Sequence, residues 1–398
     1  MERRPFIIAG SGPAGAATAL FLQQRDPTLA GEGLVLEKAV HPREKVCAGG
    51  LIPHTIDCLT ELGIGLRVPN VAVSSARVGV PGRTVEYAGA DLCWVIRRDQ
   101  FDHSLVEACE QRKLEVRQAT KIVAVHRADG GVRVLTERDE YQTPLVVAAD
   151  GSGSLVRRQL VDDGHEHVGR AVMCDVPIAA TQWNGFERSR YDFDFNAVSL
   201  GVRGYSWAFP CLIEGVPHIN VGAYSSTTTG AGANLRRALA DFLERIGAAP
   251  TRMKAFPIRW YSRCARLSAP NVLLTGDAAG VDPLMGEGIS FAFEYGKRAA
   301  EAIARTARGE SGASEWYRTQ IETSWLGRKL RRLGLAERLF YGRSSRLWFA
   351  AAAHSTMAQD IGIRWYNGVG GLDRHGLRSA AWAWLRGDLP PRTAPERS

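Results

Sequence analysis

The fold is indicated by the stretch Phe6-Ile7-Ile8-Ala9-Gly10-Ser11-Gly12-Pro13-Ala14-Gly15, near the start of the 398-residue chain. Residues 6–9 form a short apolar run typical of a buried parallel strand, and an alanine-rich helical segment follows the glycines. In the G-x-G-x-x-G spacing, the first glycine permits a tight turn, the second lets a pyrophosphate approach the backbone, and the third brings the helix close to the strand. Free N–H groups at the helix start would face the phosphates. The stretch predicts a dinucleotide-binding unit, for NAD or FAD alike.

A second apolar run supports this interpretation. Leu34-Val35-Leu36 is predicted to be the next strand, and it ends at Glu37. An acidic residue about 20 residues after the glycines is the expected ligand of a ribose hydroxyl. The alternative, a glycine turn beside an ordinary surface glutamate, is less favoured because it leaves this spacing to chance.

Composition bounds the class of protein. The chain is long enough for two or three domains, and its hydrophobic share of 45% is ordinary for a globular protein. No run approaches the roughly 18 apolar residues of a membrane span, and a strand begins too early to leave room for a signal peptide. We therefore expect a cytoplasmic protein.

Cysteines and charge exclude other classes. The seven cysteines are odd in number and form no C-x-x-C pair, which argues against a disulfide framework and predicts no metal site. The net charge of +8 is spread through the chain without a nucleic-acid motif, so no nucleic-acid partner is expected. An acidic cofactor, an anionic substrate or a membrane surface explains the charge better.

Two later strands end in acidic turns. Residues 145–149 lead into Asp150-Gly151, and residues 272–274 lead into Gly276-Asp277. Ligands of doubly wound sheets lie at the carboxyl ends of the strands, where both turns fall. Asp277 suits the hydroxyls of a polyol, and Gly286-Glu287-Gly288 opens a helix whose bare N–H groups suit developing negative charge. Groups placed for a polyol chain and for a flavin edge favour FAD over NAD, because only FAD contains a ribityl chain and a flavin ring.

Between these elements, alternating residues predict a second sheet. Strands are expected within residues 76–96 and at 171–178, 191–200, 205–212 and 218–224. Tyr205, Trp207 and Phe209 share one face of their strand. Such a stripe is normally core, but Pro210 is expected to end or edge the strand, so the face can instead line a pocket.

The predicted fold class is α/β, a Rossmann-like FAD-binding domain with an interleaved, mostly antiparallel substrate domain and a helical C-terminal region. The FAD-binding domain is assigned to 1–75, 97–170 and 265–308, and the substrate domain to 76–96 and 171–264. Residues 309–388 are predicted to be helical and 389–398 to be a disordered tail.

The C-terminal region is basic. Arg328, Lys329, Arg331 and Arg332 alternate with leucines, which predicts a helix with one apolar and one cationic face. A covering helix with a solvated charged face is the favoured interpretation, and peripheral membrane contact is the alternative.

Three motifs together resemble the FAD-binding fold of the para-hydroxybenzoate hydroxylase superfamily: the 10–15 fingerprint with Glu37, Asp150-Gly151 with Arg157, and Gly276-Asp277 with Pro283 and the 286–288 turn. The resemblance covers roughly residues 1 to 305. It implies that Glu37 binds the adenosine ribose, Arg98 the phosphate or ribityl region and Asp277 the ribityl chain. The full predicted cofactor set is Gly10, Gly12, Pro13, Ala14, Gly15, Glu37, Lys38, Lys45, Ala48, Gly49, Arg98, Val123, Asp150, Asp277, Gly286, Gly288 and Ile289.

Within that superfamily, two stretches look like the geranylgeranyl reductase family: Lys45-Val46-Cys47-Ala48-Gly49-Gly50-Leu51 and Tyr205-Ser206-Trp207-Ala208-Phe209-Pro210. The first departs from the usual K-P-C-G-G-G-like loop at Val46 and Ala48, whereas the second matches Y-x-W-x-F-P throughout. Flavin-dependent halogenases carry W-x-W-x-I-P, from which Tyr205 and Phe209 differ. The resemblance implies catalytic or positioning roles for Cys47, Tyr205 and Trp207, with Gly50, Phe209 and Pro210 in the substrate pocket. From the residues alone, Cys47 is more simply a small buried side chain.

These features predict an FAD-dependent reductase of carbon–carbon double bonds in a prenyl or other polyunsaturated, lipid-like substrate. No second dinucleotide fingerprint is visible, so NAD(P)H or another reductant is expected to act as a transient electron donor. The alternatives are a monooxygenase or epoxidase on the same scaffold and a flavoprotein electron carrier. The sequence does not specify the oligomeric state.

Overall fold

A computed structural model describes residues 1–161, 167–228 and 231–368, together with residues 379, 382, 385 and 386. The strands, numbered in chain order, are β1 (Glu2–Arg3), β2 (Ile7–Ala9), β3 (Leu34–Leu36), β4 (Gly50–Leu51), β5 (Asn70–Val80), β6 (Arg83–Ile96), β7 (Val116–Arg117), β8 (Ile122–Ala128), β9 (Gly131–Thr136), β10 (Glu140–Thr143), β11 (Val146–Ala148), β12 (Val168–Pro177), β13 (Arg190–Asp194), β14 (Gly204–Ile213), β15 (Val216–Ser225), β16 (Lys254–Arg259), β17 (Ser268–Ala269) and β18 (Val272–Leu274). The α-helices are α1 (Pro13–Arg25), α2 (Pro27–Glu32), α3 (Pro53–Glu61), α4 (Arg98–Gln111), α5 (Leu155–Leu160), α6 (Ala231–Arg245), α7 (Ile289–Ala307), α8 (Ala313–Thr323), α9 (Trp325–Tyr341), α10 (Ser345–His354) and α11 (Thr356–Asn367). The tail predicted to be disordered lies outside the described residues.

A mainly parallel sheet organises the N-terminal part of the fold. Its order is β17-β18-β11-β2-β3-β7, and all neighbours are parallel except β17 and β18. Its central strands β2, β3 and β11 are buried at every residue, as expected for strands covered on both faces. The predicted fold class is confirmed.

Helices α1 and α7 pack closely together beside this sheet. A Cβ atom on Gly296 of α7 would lie only 2.8 Å from the backbone nitrogen of Thr18 in α1. Side chains larger than hydrogen are therefore excluded at this crossing. The close approach brings the N-termini of both helices to the same side of the sheet, where the strands end.

The second sheet is mostly antiparallel, with the order β16-β12-β15-β14-β13-β5-β6-β4. Its only parallel pair among the described strands is β13 with β5. One face packs on α6 through an apolar cluster that includes Val172, Ala208, Val221, Leu239 and Phe242. The opposite face carries the aromatic stripe of β14 and points towards the first sheet. A smaller sheet, β1-β10-β9-β8, contains a hairpin in which β8 and β9 are joined by a turn at residues 129–130.

Two local expectations are wrong, and a third is confirmed in part. The strand predicted at 191–200 ends at Asp194, because the Asp194 carboxylate accepts a hydrogen bond from the Asn196 N–H and caps a 3₁₀ turn at Phe195–Leu200. Pro210 does not end its strand, which continues to Ile213, but it does lie at an edge of the sheet. It is tolerated because β13 pairs only with residues 206–208 of β14, so the ladder is one-sided at Pro210.

The other wrong expectation is the cationic face of the helix now seen as α9. Lys329 is buried, and its Nζ donates to the Tyr366 carbonyl oxygen at 3.1 Å. Arg332 faces an internal cavity, whereas Arg328 is exposed. The cause is α11, which packs where the sequence pattern implied solvent. None of the helices in the described part of the chain has the length and apolar character that a membrane crossing needs.

Candidate active site

A cavity of about 1350 Å³ extends from the carboxyl edge of the parallel sheet, past the stripe of β14, to helices α9, α10 and α11. One end, which we call the cleft, is lined by the glycine turn after β2, Glu37, Asp150 and Asp277. The other end, the apolar arm, is lined mainly by aromatic and aliphatic side chains. A polar ligand and an apolar ligand can therefore meet within one cavity.

The turn after β2 is shaped for a close ligand. Gly10 has a φ of +101°, and a Cβ on it would lie 2.6 Å from the Ala149 carbonyl oxygen. A Cβ on Gly15 would lie 1.9 Å from the Gly10 oxygen, so α1 sits directly on the turn. A Cβ on Gly12, in contrast, would meet only the Arg43 guanidinium, at an ordinary contact distance of 3.5 Å. Room at the start of α1 is what a pyrophosphate requires.

Glu37 is buried beside this turn. Its carboxylate accepts hydrogen bonds from the Ser11 N–H at 2.9 Å, the Ser11 hydroxyl at 3.0 Å and the Ala39 N–H at 2.9 Å. Burial acts to raise the pKa of Glu37, but these hydrogen bonds and the charge of Arg43 outweigh it and lower the pKa. The ionised carboxylate has lone pairs left to accept from a ribose hydroxyl.

The cationic side of the cleft is formed by Arg98, the first residue of α4. Its guanidinium makes a two-point hydrogen bond with Asp102, at 2.7 and 2.9 Å, and Arg43 reaches the same carboxylate at 3.1 Å. The pKa of Arg98 is raised, because the attraction of Asp102 and contact with Cys47 outweigh burial. Arg98 is thus a fixed cation facing the cleft.

The loop at residues 45–50 joins the cleft to the apolar arm. Lys45 Nζ lies 3.2 Å from the centroid of the Phe256 ring, and burial lowers the pKa of this amine to about 8 despite the nearby Asp277. Cys47 is half-buried, and its Sγ accepts a hydrogen bond from the Gly49 N–H at 3.4 Å. A Cβ on Gly49 would lie 2.0 Å from the Ile96 oxygen, so the loop is fitted tightly against β6.

Asp150 and Asp277 follow the neighbouring strands β11 and β18. One Asp150 oxygen accepts from the N–H groups of Leu155 and Val156 and caps α5. Its other oxygen, Oδ1, is buried without a hydrogen-bond partner, and burial raises the pKa of the group. Asp277 accepts from the Ser152 hydroxyl at 2.9 Å. The unsatisfied Oδ1 is consistent with a bound donor such as a hydroxyl.

The stripe of β14 lines the apolar arm. Tyr205, Trp207 and Phe209 all face the cavity, whereas Pro210 does not line it. Trp207 lies flat on Gly222, where a Cβ would come within 2.1 Å of its ring, and its indole N–H donates to Asn220 at 2.8 Å. Gly50 faces the same space, since a Cβ there would lie 3.1 Å from Phe209. The stripe is therefore both packed core and cavity wall.

Residues 3–318 match the family described as FAD binding domain. The match spans more than half of the chain. The chain belongs to this family. The FAD assignment is confirmed, and the glycine turn, the unpaired Asp150 oxygen and the two helix N-termini fit this cofactor.

The relatives of this FAD-binding protein include reductases. It is 27% identical over 327 residues to a menaquinone reductase of Mycobacterium tuberculosis, covering 75% of this chain and 76% of the relative. It is 27% identical over 349 residues to digeranylgeranylglycerophospholipid reductase 1 of Methanococcoides burtonii, covering 82% and 80%. A geranylgeranyl bacteriochlorophyll reductase-like structure from Thermoplasma acidophilum superposes with a TM-score of 0.70 at 21% identity, covering 86% and 88%. The resemblance to geranylgeranyl reductases is confirmed, and the protein is an FAD-dependent oxidoreductase.

The fold is also shared with other flavoproteins. A flavin-dependent brominase superposes with a TM-score of 0.71 at 18% identity, covering 97% of this chain and 99% of the brominase. Fold similarity at this identity does not separate the chemistries.

Most of the predicted cofactor residues line the cleft of the FAD-binding protein. They include Pro13, Ala14, Lys38, Ala48, Gly286, Gly288 and Ile289. Val123 does not line the cavity. Its side chain is 40% exposed on β8, and its neighbour Ile122 faces the cavity instead, because side chains alternate along a strand.

A ring of tyrosines around residues 282–287 is not visible in the sequence pattern. Tyr205, Tyr224 and Tyr341 donate to the carbonyl oxygens of residues 285, 283 and 284, at 2.6, 3.0 and 2.8 Å. Tyr366 donates to Asp282 at 2.8 Å, and burial raises the pKa of Asp282 to about 6. These tyrosines come from β14, β15, α9 and α11. They fix the backbone that leads into the N-terminus of α7.

The helices α9, α10 and α11 complete the apolar arm, which the sequence does not reveal. Phe340, Trp348, Phe349, Ala352 and Trp365 line its outer part. In the sequence, only the apolar character of residues 347–353 indicates that these helices contribute to an apolar surface.

One cluster of side chains in the described part of the chain has the residue types of a metal site, although the sequence contains no C-x-x-C pair that would predict one. His54, Cys58 and Glu294 lie within 4.8 Å of one another. Glu294 is already paired, with His54 at 2.9 Å and Arg298 at 2.5 Å, and these partners lower its pKa to about 2 against the effect of burial. Burial raises the pKa of the Cys58 thiol. The network joins α3 to α7 through the hydrogen bond between His54 and Glu294.

Proposed function

We propose that this FAD-dependent oxidoreductase reduces carbon–carbon double bonds of a prenyl or other polyunsaturated hydrophobic substrate. The observation that carries the proposal is the apolar arm, which begins at Cys47 and the β14 stripe beside the cleft and continues to α10. The names of the relatives, reductases of menaquinone, of digeranylgeranylglycerophospholipid and of geranylgeranyl diphosphate, support it.

The residues of the cleft would hold FAD along its length. The turn at Gly10 and Gly12 and the start of α1 suit the pyrophosphate, Glu37 the ribose, and Asp277 the ribityl hydroxyls. Bound FAD, reduced by NAD(P)H or another donor, supplies the hydride. The aromatic wall of the arm excludes water and holds an extended apolar chain against this end of the cavity.

An isolated alkene is a poor hydride acceptor, so a proton must reach one of its carbons as hydride reaches the other. We assign the proton donor to the Cys47 thiol, which faces the cavity at the junction of cleft and arm. Tyr205 is a weaker candidate, because its hydroxyl proton is donated to the Met285 oxygen and burial raises its pKa. Tyr205 and Trp207 instead act as positioning residues.

Anaerobic incubation of the chemically reduced enzyme with prenyl diphosphates, prenyl quinones and prenylated lipids tests the proposal. Mass spectrometry should detect a product that has gained two hydrogens. A product that forms only with oxygen and gains one oxygen atom would instead identify a monooxygenase. Electron transfer to a quinone ring or a protein, with every substrate chain unchanged, would identify an electron carrier.

The role of Cys47 has its own test. Cys47→Ala should lower the rate of double-bond reduction about a hundredfold or more, the usual contribution of a general acid. FAD content and chemical reduction of the flavin should stay unchanged, and Cys264→Ala, at an exposed cysteine, serves as the control. Full activity of Cys47→Ala would remove the thiol from the mechanism.

A further inference from the structure

The apolar arm reaches the protein surface at α10. Trp348 and Ala351 both line the arm and are exposed, Trp348 to 38%. Phe349 and Ala353, on the inner side of the same helix, are buried against Val80. One face of α10 therefore borders the cavity while the helix itself lies at the surface. We call this opening the mouth.

The surface around the mouth is apolar. Leu347 precedes Trp348 on α10 and is 70% exposed. The two are among the few large hydrophobic side chains exposed in the described part of the chain. Exposed apolar groups that gather at one place mark an interaction surface.

The chain segment that contains α10 carries only positive charges. Residues 338–359 include Arg338, Arg343, Arg346 and His354, but no aspartate or glutamate. The three arginines are exposed. An apolar helix face bordered by arginines, with a tryptophan between, is typical of proteins that lie in the interface of an anionic bilayer.

A second pocket, of about 620 Å³, lies on the other side of α10. Arg83, Arg346 and His354 line it, and no acidic residue is among its lining residues in the described chain. Arg83 Nη1 donates to His354 Nδ1 at 2.7 Å, so both side chains are held at the pocket. Val80, Phe349 and Ala353 form the shared wall between this pocket and the apolar arm. Arginine side chains are common partners of phosphate groups, so this pocket adds to the positive charge beside α10.

We propose that the surface formed by Arg343, Arg346, Leu347 and Trp348 docks on an anionic lipid bilayer and that the substrate enters the mouth from that bilayer. This inference rests on the proposed function, because a lipid-like substrate is stored in membranes. A protein partner on this surface would close the mouth, whereas a bilayer supplies the chain directly. The phosphates of the lipids pair with the arginines, and Leu347 enters the apolar layer.

Vesicle sedimentation of the FAD-loaded protein tests the docking surface. The protein should partition onto phosphatidylcholine vesicles that contain phosphatidylglycerol more strongly than onto phosphatidylcholine alone. Leu347→Glu should lower this partition about tenfold or more, because it replaces an apolar group that would enter the bilayer by a charge of the wrong sign. Arg343→Ala should lower it about fivefold, and only on the anionic vesicles.

Two matched controls lie away from the mouth. Val216→Glu alters a hydrophobic side chain that is 54% exposed at the far end of β15, and Arg237→Ala alters an exposed arginine of α6. Both variants should bind vesicles like the wild type. Equal binding of Leu347→Glu and wild type, or no wild-type binding, would overturn the proposal. So would a dimer that Leu347→Glu dissociates, since the surface would then join two copies.

Activity separates this inference from the function on which it depends. Leu347→Glu should retain reduction of a detergent-dispersed substrate but lose reduction of the same substrate presented in vesicles. If vesicle binding behaves as expected while no double bond is reduced in any format, the docking surface stands and the proposed function fails. Equal turnover of vesicle substrate by Leu347→Glu and wild type would overturn delivery through the mouth.

Discussion

At the scale of single residues, the glycines of the first turn differ in how much space surrounds their α-carbons. Gly15 is required by the fold, because its Cβ would overlap the Gly10 oxygen at 1.9 Å. Gly12 has an extended backbone and no protein neighbour closer than 3.5 Å. The chain itself therefore fills the space beside Gly15, whereas a ligand can approach the backbone at Gly12.

This difference makes a prediction about two alanine variants. Gly12→Ala should leave the free energy of unfolding of the FAD-free protein nearly unchanged but weaken FAD binding at least tenfold, because the methyl group occupies the approach of the pyrophosphate. Gly15→Ala should destabilise even the FAD-free protein, by about 2 kcal/mol or more. Urea unfolding and FAD titration measure the two effects. Unimpaired FAD binding by Gly12→Ala would contradict the placement of the cofactor.

Lys45 makes the stability depend on pH. Its pKa is about 8 in the folded protein, against an ordinary 10.5, because burial disfavours the charged amine. Between these two values the unfolded chain binds more protons than the folded one, so stability rises with pH across that window. Below about pH 8 the buried charge costs about 3 kcal/mol.

Lys45→Met should therefore be more stable than the wild type at pH 7, by at most about 3 kcal/mol. The advantage should shrink as the pH rises from about 8 towards 10.5. Chemical unfolding of both FAD-free proteins over this range measures it. Lys121→Met, at a lysine that is 59% exposed, should show no such trend. An advantage independent of pH would show that folding does not lower the pKa of Lys45.

At the scale of elements, four tyrosines connect separate parts of the chain to one backbone segment. Tyr341 of α9 holds the Leu284 oxygen just before the N-terminus of α7. Tyr317 of α8 makes a comparable buried bond, at 2.6 Å, to the Leu274 oxygen in β18. The Tyr341 bond positions the 282–287 loop beside the cleft, whereas the Tyr317 bond connects α8 to β18.

Removing each hydroxyl should therefore have different consequences. Tyr341→Phe and Tyr317→Phe should each cost about 1 to 3 kcal/mol of stability, because each leaves a buried carbonyl oxygen unpaired. Only Tyr341→Phe should also weaken FAD binding, by several-fold. Isothermal titration with FAD distinguishes them. Equal FAD affinity in both variants would mean that the 282–287 loop is held without α9.

At the scale of the whole molecule, the cavity depends on three parts of the chain. The parallel sheet provides the cleft, the antiparallel sheet provides one wall of the arm, and α9, α10 and α11 close it. The arm continues from the cleft past these helices to the mouth, so only a long substrate chain should fill its outer part.

A large side chain in the outer arm should shorten the accepted substrate. Ala352→Trp should lower kcat/KM for a long prenyl chain about tenfold or more and leave a short chain nearly unaffected, since overpacking obstructs only the outer space. The short substrate is the internal control, and FAD affinity should not change. An equal loss for both chain lengths would place the reacting bond in the outer arm.

Much of the cleft was predictable, because its parts are local in sequence. Gly10, Gly12 and Gly15 require a special backbone at fixed spacing, and Asp150 and Asp277 each follow directly after a strand of the parallel sheet. The stripe at 205–209 follows from strand alternation alone. These features depend on residues that are close together in the chain, so they can be predicted without knowing which distant residues are in contact.

The sequence by itself determined the cofactor class and most of the residues that line the cleft. Only the tertiary structure decided what surrounds them. Lys329 is buried because α11 covers it, Tyr341 and Tyr366 reach the 282–287 loop from distant helices, and Trp348 borders a mouth instead of plain solvent. Each outcome depends on which elements pack together, and residues far apart in the chain leave no periodic signal of that packing.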